Sequence, residues 1–298
     1  MVAIVWMANF HASQCSNILV VNPLAAGSHE FILRGFLDFM TSRGHNVTIV
    51  RFETTNDPKF SNSSMNVINM KALDKDGSCS NFVTPDGKFD VGLKMAEQFW
   101  NFDGGLSFVS MDMFCRYGVQ CETLLDRDLY ISLKATNFDV AIVDILVNGC
   151  GVALAKALEL PIASFWVYSF IGWDASLTPA QSLPSIVPTS FTGLPEEMSF
   201  LDRVQNFVAL TLFWAYRKIY YSINQSIVSQ KFPHLPPVCD MVHDIDIHLV
   251  IPNFLTTTPK LTPPNVFAIG GPHLRAGQPL PEVSVALLIN LNTEDEAY

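Results

Sequence analysis

Residues 17–50, NILVVNPLAAGSHEFILRGFLDFMTSRGHNVTIV, limit the folds open to this chain more than any other stretch. The apolar, β-branched run at 18–21 shows no polar alternation, the mark of a strand covered on both faces and hence of a parallel sheet. After a short loop, Phe31, Ile32, Gly35, Phe36, Phe39 and Met40 recur at helical spacing and predict one apolar helix face. Ser28 is the expected N-cap. Gly44 is the expected stop, and NVTIVRF the next strand. Strand, helix and strand make a βαβ unit.

The pattern returns further along. FDVAIVD (138–144) predicts a strand, GCGVALAKALEL a helix opened by glycines, and PIASFWVY another strand. IDIHLVIPN and NVFAIGG predict two short strands near the end. Strands alternating with helices imply an α/β fold, a Rossmann-like doubly wound parallel sheet. Residues 54–105 are polar and irregular and receive no assignment. FVALTLFWAY, from Phe207, is halted by Arg217, well short of the roughly 18–20 apolar residues of a membrane span. It predicts a buried helix. Prolines at 179–195 and 233–281 predict loops.

Of the 298 residues, 49% are hydrophobic and 15% charged, which provides for a core and argues against disorder. A formal net charge of −10 excludes nucleic acid as a partner, since phosphate binding needs clustered Lys and Arg. Residues 1–15, MVAIVWMANFHASQC, are expected to be a truncated signal peptide, although the usual basic segment is missing. The other reading is a buried first strand. The six cysteines (Cys15, Cys79, Cys115, Cys121, Cys150, Cys239) suit an oxidising compartment. They show no C-x-x-C spacing, so a zinc or thioredoxin-like site has no support. Their pairing stays open. Sequons stand at Asn46, Asn62 and Asn224. Asn46 opens a strand expected to be buried and is set aside, leaving Asn62, in a polar loop, and Asn224 as glycosylation candidates.

In open α/β sheets, ligands bind beyond the carboxyl ends of the strands, where the strand order reverses. His29 follows the carboxyl end of the first strand, and Asp144 closes FDVAIVD at the same edge. If those strands are neighbours, Asp144 can accept a hydrogen bond from one ring nitrogen of His29, leaving the other to take a proton from a hydroxyl. The plainer readings are a capping or surface histidine and an aspartate that caps the next helix. Spacing alone does not choose between them. HDIDIH (His243, Asp244, Asp246, His248) is read as a structural strand rather than a metal cluster, with His243 and His248 on opposite faces. GCGVAL is half a dinucleotide fingerprint and better explained as a tight helix entry. There is no G-x-S-x-G nucleophile elbow and no P-loop.

Five stretches, in order, carry a resemblance. They are NILVVNPLAAGSH with RGHNVTIV, FDVAIVDILVNGCGVALAKALELPIASF, LPSIVPTSFTGLPEEMSFLDRVQN, LPPVCDMVHDIDIHLVIPN and NVFAIGGPHLRAGQPLPE. From Ser16 onward the chain resembles the N-terminal, acceptor-binding half of a UDP-glycosyltransferase of the animal UDP-glucuronosyltransferase type. The resemblance implies one of two Rossmann-like halves facing a cleft, with the UDP-sugar held by the other. It places the catalytic base on His29 and its partner on Asp144. The implied reaction transfers a sugar from a UDP-sugar to the hydroxyl of a small lipophilic acceptor with inversion, without a metal or other cofactor. Leu24, Ile145, Tyr168 and Phe170 are candidates for the acceptor pocket wall, with core packing the plain alternative for each. The implied setting is the endoplasmic reticulum lumen or secretory pathway, with peripheral membrane association.

Two departures accompany the likeness. Residues 16–282 are expected to form the acceptor-binding domain and 283–298 the start of a linker to a donor domain that the sequence does not supply. A chain so built is expected to need a donor half for transfer. The alternative is a non-catalytic protein that holds lipophilic ligands, or an acceptor subunit needing a partner chain. Glu30, directly after His29, stands where many relatives carry an apolar or aromatic residue. It is expected either to alter acceptor choice or to raise the basicity of His29.

Overall fold

The computed structural model describes residues 15–23, 27–54, 65–74, 77, 79–80, 83–89, 111–167, 183–189, 192–251 and 263–274. Residues 1–14 of the expected 1–15 leader, Asn62 and the segment 283–298 lie outside them. β1 (Asn17–Asn22), α1 (Gly27–Ser42) and β2 (Asn46–Phe52) are the expected βαβ unit. Gly44, at φ +92°, turns the chain out of α1, with its N–H donating to Thr41 O. Ser28 lies inside the first turn of α1, not at its cap, because the helix already opens at Gly27. β3 (Asn66–Met70) adds a strand in the stretch left unassigned.

α2 (Met111–Leu124) and α3 (Arg127–Lys134) lead to β4 (Val140–Asp144). Next come α4 (Gly149–Ala157), β5 (Ile162–Trp166), α5 (Phe200–Lys231), α6 (Val238–His243), β6 (Ile247–Val250) and β7 (Val266–Ala268). The seven strands pair in the order β3-β2-β1-β4-β5-β6-β7, every pair parallel. This is the doubly wound sheet that the sequence predicts. Its order reverses between β1 and β4, at the strands that carry the expected site.

Alternation along the strands divides the core between two faces. Ile18, Val20, Ile49, Ile142 and Phe165 pack under Leu33 and Leu37 of α1. Leu19, Val21, Val50 and Val143 face the other way, toward α2, α4 and α5. The buried stripe of α1 therefore differs from the predicted one. Leu33 and Leu37 are its centre, whereas Phe31 and Phe39 are exposed. The stripe begins with two polar residues, His29 and Glu30, both buried. A reading that counts only apolar residues rotates the face away from them. Gly35 brings the turn after β7 onto α1, because a Cβ there would lie 2.6 Å from His273 Cα.

α5 opens with a reciprocal capping box. Asp202 N–H donates to Ser199 Oγ (3.3 Å) and Ser199 N–H to Asp202 Oδ2 (2.9 Å). That gives MSFLDRVQN a local physical role. FVALTLFWAY is helical but not buried: Phe213 and Tyr216 face inward, while Phe207, Val208, Leu212 and Trp214 are exposed. The helix buries one narrow stripe, through Asn206, Phe213, Tyr216, Tyr220, Asn224 and Ile227, and its apolar content exceeds that stripe. Among the described residues no helix is long and apolar enough to cross a membrane. Disulfides join Cys79 to Cys115 and Cys121 to Cys150, while Cys15 and Cys239 form none.

HDIDIH does not lie in one strand. His243 ends α6, Asp244 pairs with Lys156 at 2.9 Å, and β6 starts only at Ile247. His248 is buried, its Nδ1 2.7 Å from Ser164 Oγ, which also accepts a hydrogen bond from Trp166 Nε1 (2.9 Å). Burial lowers the His248 pKa to about 4. The fold thus favours the neutral ring, and this contribution is complete above the unfolded value near 6.5 and fades as pH falls through about 4. Stability should drop by about 3 kcal/mol from this residue between pH 7 and pH 4. Urea titrations at the two pH values should show that difference shrink in His248→Gln. An unchanged difference would mean that other groups govern the acid limb.

Candidate active site

The carboxyl ends of the central strands hold a row of polar side chains. Val21 pairs with Val143, so Asn22 and Asp144 end β1 and β4 side by side. Asn22 is also in register with Arg51 of β2, and Arg51 with Asn69 of β3. Alternation puts Asp144, Asn22 and Arg51 on the face covered by α1, in line with Ile142, Val20 and Ile49. The first turn of α1 lies over this row.

His29 Nδ1 lies 2.7 Å from Asp144 Oδ2, with the two residues 2% and 1% exposed. The structure thus brings together the histidine and aspartate singled out in the sequence. One residue further along α1, Glu30 forms a buried ion pair with Arg51 Nε, and Arg51 Nη1 donates to Asn69 Oδ1 at 3.0 Å. Glu30 is therefore engaged by β2, a role that neither expectation for it anticipated. Asn22, between the two pairs, is fully buried, and neither of its amide atoms has a hydrogen-bond partner among the described residues. A buried polar group left unmatched costs about 1–3 kcal/mol. Such a cost in the middle of the row marks it as more than packing.

The turn after β4 fixes the aspartate from below. Asn148 Nδ2 donates to Asp144 O (2.8 Å) and to Val21 O (3.3 Å), tying the two strand ends together. Its Oδ1 accepts from Gly151 N–H at 2.9 Å and caps α4. Val147, just before it, has φ +46°. A β-branched residue rarely adopts this left-handed conformation, and the strain, about 1–3 kcal/mol, sits beside the His–Asp pair. Behind the turn, Gly149 N–H donates to Tyr220 OH (2.7 Å), and the hydroxyls of Tyr117 and Tyr216 are 3.0 Å apart. Burial raises the pKa of both Tyr117 and Tyr216, which keeps these phenols neutral.

The other predicted residues divide. Ile145 is buried with the core on the face away from α1 and lines a small cleft with Val147, Gly149, Tyr216, Tyr220 and Val242. It therefore does not share a face with His29. Leu24, Tyr168 and Phe170 lie outside the described residues. Of the sequons, Asn224 is 2% exposed inside α5, which leaves no room for a glycan in the folded chain. Asn46, set aside in the sequence, is exposed at the amino end of β2, with Nδ2 donating to Asn17 Oδ1 at 3.0 Å. Among the described residues no group of three or more His, Cys, Asp or Glu is placed to hold a metal ion. Asn22, Arg51 and Asn148 escaped the sequence reading. Their signal was a polar residue at or next to the end of an otherwise apolar strand, or at the entry to a helix.

Residues 16–290 match the family model described as UDP-glucoronosyl and UDP-glucosyl transferase. The chain belongs to this family. It is 25% identical to UDP-glucuronosyltransferase 2B7 of Rattus norvegicus, over 92% of this chain and 52% of the relative. To UDP-glucuronosyltransferase 1A4 of Homo sapiens it is 32% identical, over 54% of this chain and 30% of the relative. Among solved structures, UGT89C1 of Arabidopsis thaliana, complexed with UDP-L-rhamnose, is similar at 11% identity and a TM-score of 0.46. That likeness covers 94% of this chain and 55% of the other. This family member thus spans about half the length of the curated relatives that it matches along most of its own length.

Proposed function

We propose that this chain is the acceptor-binding half of a UDP-sugar-dependent glycosyltransferase, with His29 as its general base and Asp144 as the partner of that base. The observation that carries the reading is the buried 2.7 Å contact between them, at the point where the strand order reverses. With Nδ1–H donated to the Asp144 carboxylate, the lone pair of the ring falls on Nε2. Nε2 takes the proton of an acceptor hydroxyl as its oxygen attacks the anomeric carbon. The new C–O bond forms on the face opposite the leaving group, the bond from that carbon to the diphosphate breaks, and UDP departs with the electron pair. Configuration inverts. Asp144 offsets the charge of the imidazolium that results.

The acceptor is inferred to be a small lipophilic molecule with a hydroxyl, and the UDP-sugar to be held by a donor half of the same or a second chain. The two disulfides support an oxidising compartment of the secretory pathway. The test is transfer from a UDP-sugar to a phenol by this chain joined to a donor-binding half. His29→Ala should lower kcat by about 10²–10⁴-fold, the usual worth of a positioned base. Transfer indifferent to His29 would overturn the assignment. Phenol binding without transfer, unaffected by the substitution, would instead favour a ligand-binding protein.

A further inference from the structure

We propose that the Glu30–Arg51 ion pair is a positioning device for His29, setting the rotation of the first turn of α1 so that the imidazole meets Asp144. The inference rests on the reading of His29 as the base and concerns what holds it. His29 and Glu30 are consecutive on the helix, so their side chains leave the axis about 100° apart. They reach the sheet on opposite sides of β1. His29 lands on Asp144 of β4, and Glu30 on Arg51 of β2. Two anchors straddling a strand fix a helix end against both rotation and sideways shift, which a single hydrogen bond cannot do.

Arg51 is itself braced. Its Nε faces Glu30, and its Nη1 donates to Asn69 on β3 at 3.0 Å, so the guanidinium plane is set by two strands as well as by the helix. Its planar fork permits this, whereas a lysine offers a point charge on a flexible stem. Asn22, with neither amide atom matched among the described residues, lies between the two anchors and supplies no competing hydrogen bond to either pair. Nor does the pair earn its place by stability. Buried ion pairs are about neutral or worse against apolar residues of similar volume. Such pairs are best attested as devices that fix register, and here the register fixed is that of His29 over Asp144.

The readout is the tautomer of His29, from imidazole ¹⁵N shifts of the folded chain near neutral pH. The unsubstituted protein should show the Nδ1–H form, held by Asp144. Glu30→Leu combined with Arg51→Leu removes both charges and leaves none buried alone. More than half of the Nδ1–H signal should be lost to the Nε2–H form. Arg51→Lys keeps the charge and tests the same point if the double variant fails to fold. A smaller but measurable Nε2–H population is expected there. Glu30→Gln retains an acceptor for Arg51 Nε and should keep the Nδ1–H form. An unchanged tautomer in a folded double variant, or in Arg51→Lys where the double variant is unfolded, overturns the inference and leaves the dyad standing. An Nε2–H form in the unsubstituted protein overturns the dyad itself.

Discussion

Asp144→Asn is expected to cut kcat by about 10⁴-fold in the chain supplied with a donor half, with little change in KM or in fold. The substitution is isosteric, and the contacts of the Asp144 main chain survive it. Asn148 Nδ2 still finds Asp144 O, and β4 keeps its register with β1. Only the side-chain chemistry changes. An amide NH₂ facing Nδ1 makes that nitrogen an acceptor, which moves the ring proton to Nε2, the atom that takes the acceptor proton in the proposed mechanism. The imidazolium also loses its counter-charge. The two effects act on the same step, so the loss should exceed what the missing charge alone would cause. The check is kcat and KM for one phenol across the pH range in which the unsubstituted chain, joined to its donor half, transfers sugar. A fall of less than about tenfold would remove Asp144 from the dyad, since tautomer control is what makes such a carboxylate worth so much.

How this site could be read in the sequence depended on which physical signal each residue leaves. Apolar strands announce themselves by composition, so β1, β2, β4 and β5 were legible, whereas the pairing of β1 with β4 at the point of reversal comes from the structure. His29 and Asp144 were legible because both follow or close such strands at the carboxyl edge. The rotation of α1 was not. Its stripe runs through His29 and Glu30 into Leu33 and Leu37, and periodicity weights apolar residues alone. Glu30 stood out beside His29, but its pairing with Arg51 did not, since nothing local says that residues 21 apart form a buried pair. β3 was hidden for another reason. Asn66 and Asn69 interrupt its apolar run, because one serves the amino edge beside Asn46 and the other holds Arg51. Disulfide partners are likewise set by tertiary approach, and no cysteine spacing foretold them.

Removing the Cys121–Cys150 disulfide should produce a large loss of stability, because it joins two helices, one of which opens beside the site. The two cysteines are separated by 29 residues, and both are buried, one in α2 and the other in the first turn of α4. Freeing a loop of that length returns about 4 kcal/mol of conformational entropy to the unfolded chain. For a domain of this size that corresponds to a fall in Tm of roughly 7 °C. Cys79–Cys115, with a separation of 36, closes a similar loop but ties α2 to the segment around Cys79. Cys150 instead sits two residues beyond Asn148, whose amide holds the ends of β1 and β4. Cys121→Ala combined with Cys150→Ala should therefore loosen the His29–Asp144 contact as well as lower Tm, while Cys79→Ala combined with Cys115→Ala should lower Tm alone. Thermal melts followed by circular dichroism, with His29 ¹⁵N spectra on the same samples, separate the two. A drop in Tm with an unchanged His29 signal in both variants would confine the disulfides to stability. A Cys121–Cys150 variant that melts within about 3 °C of the parent would mean that α2 and α4 are held by packing, and that oxidation is not what keeps the floor of the site in place.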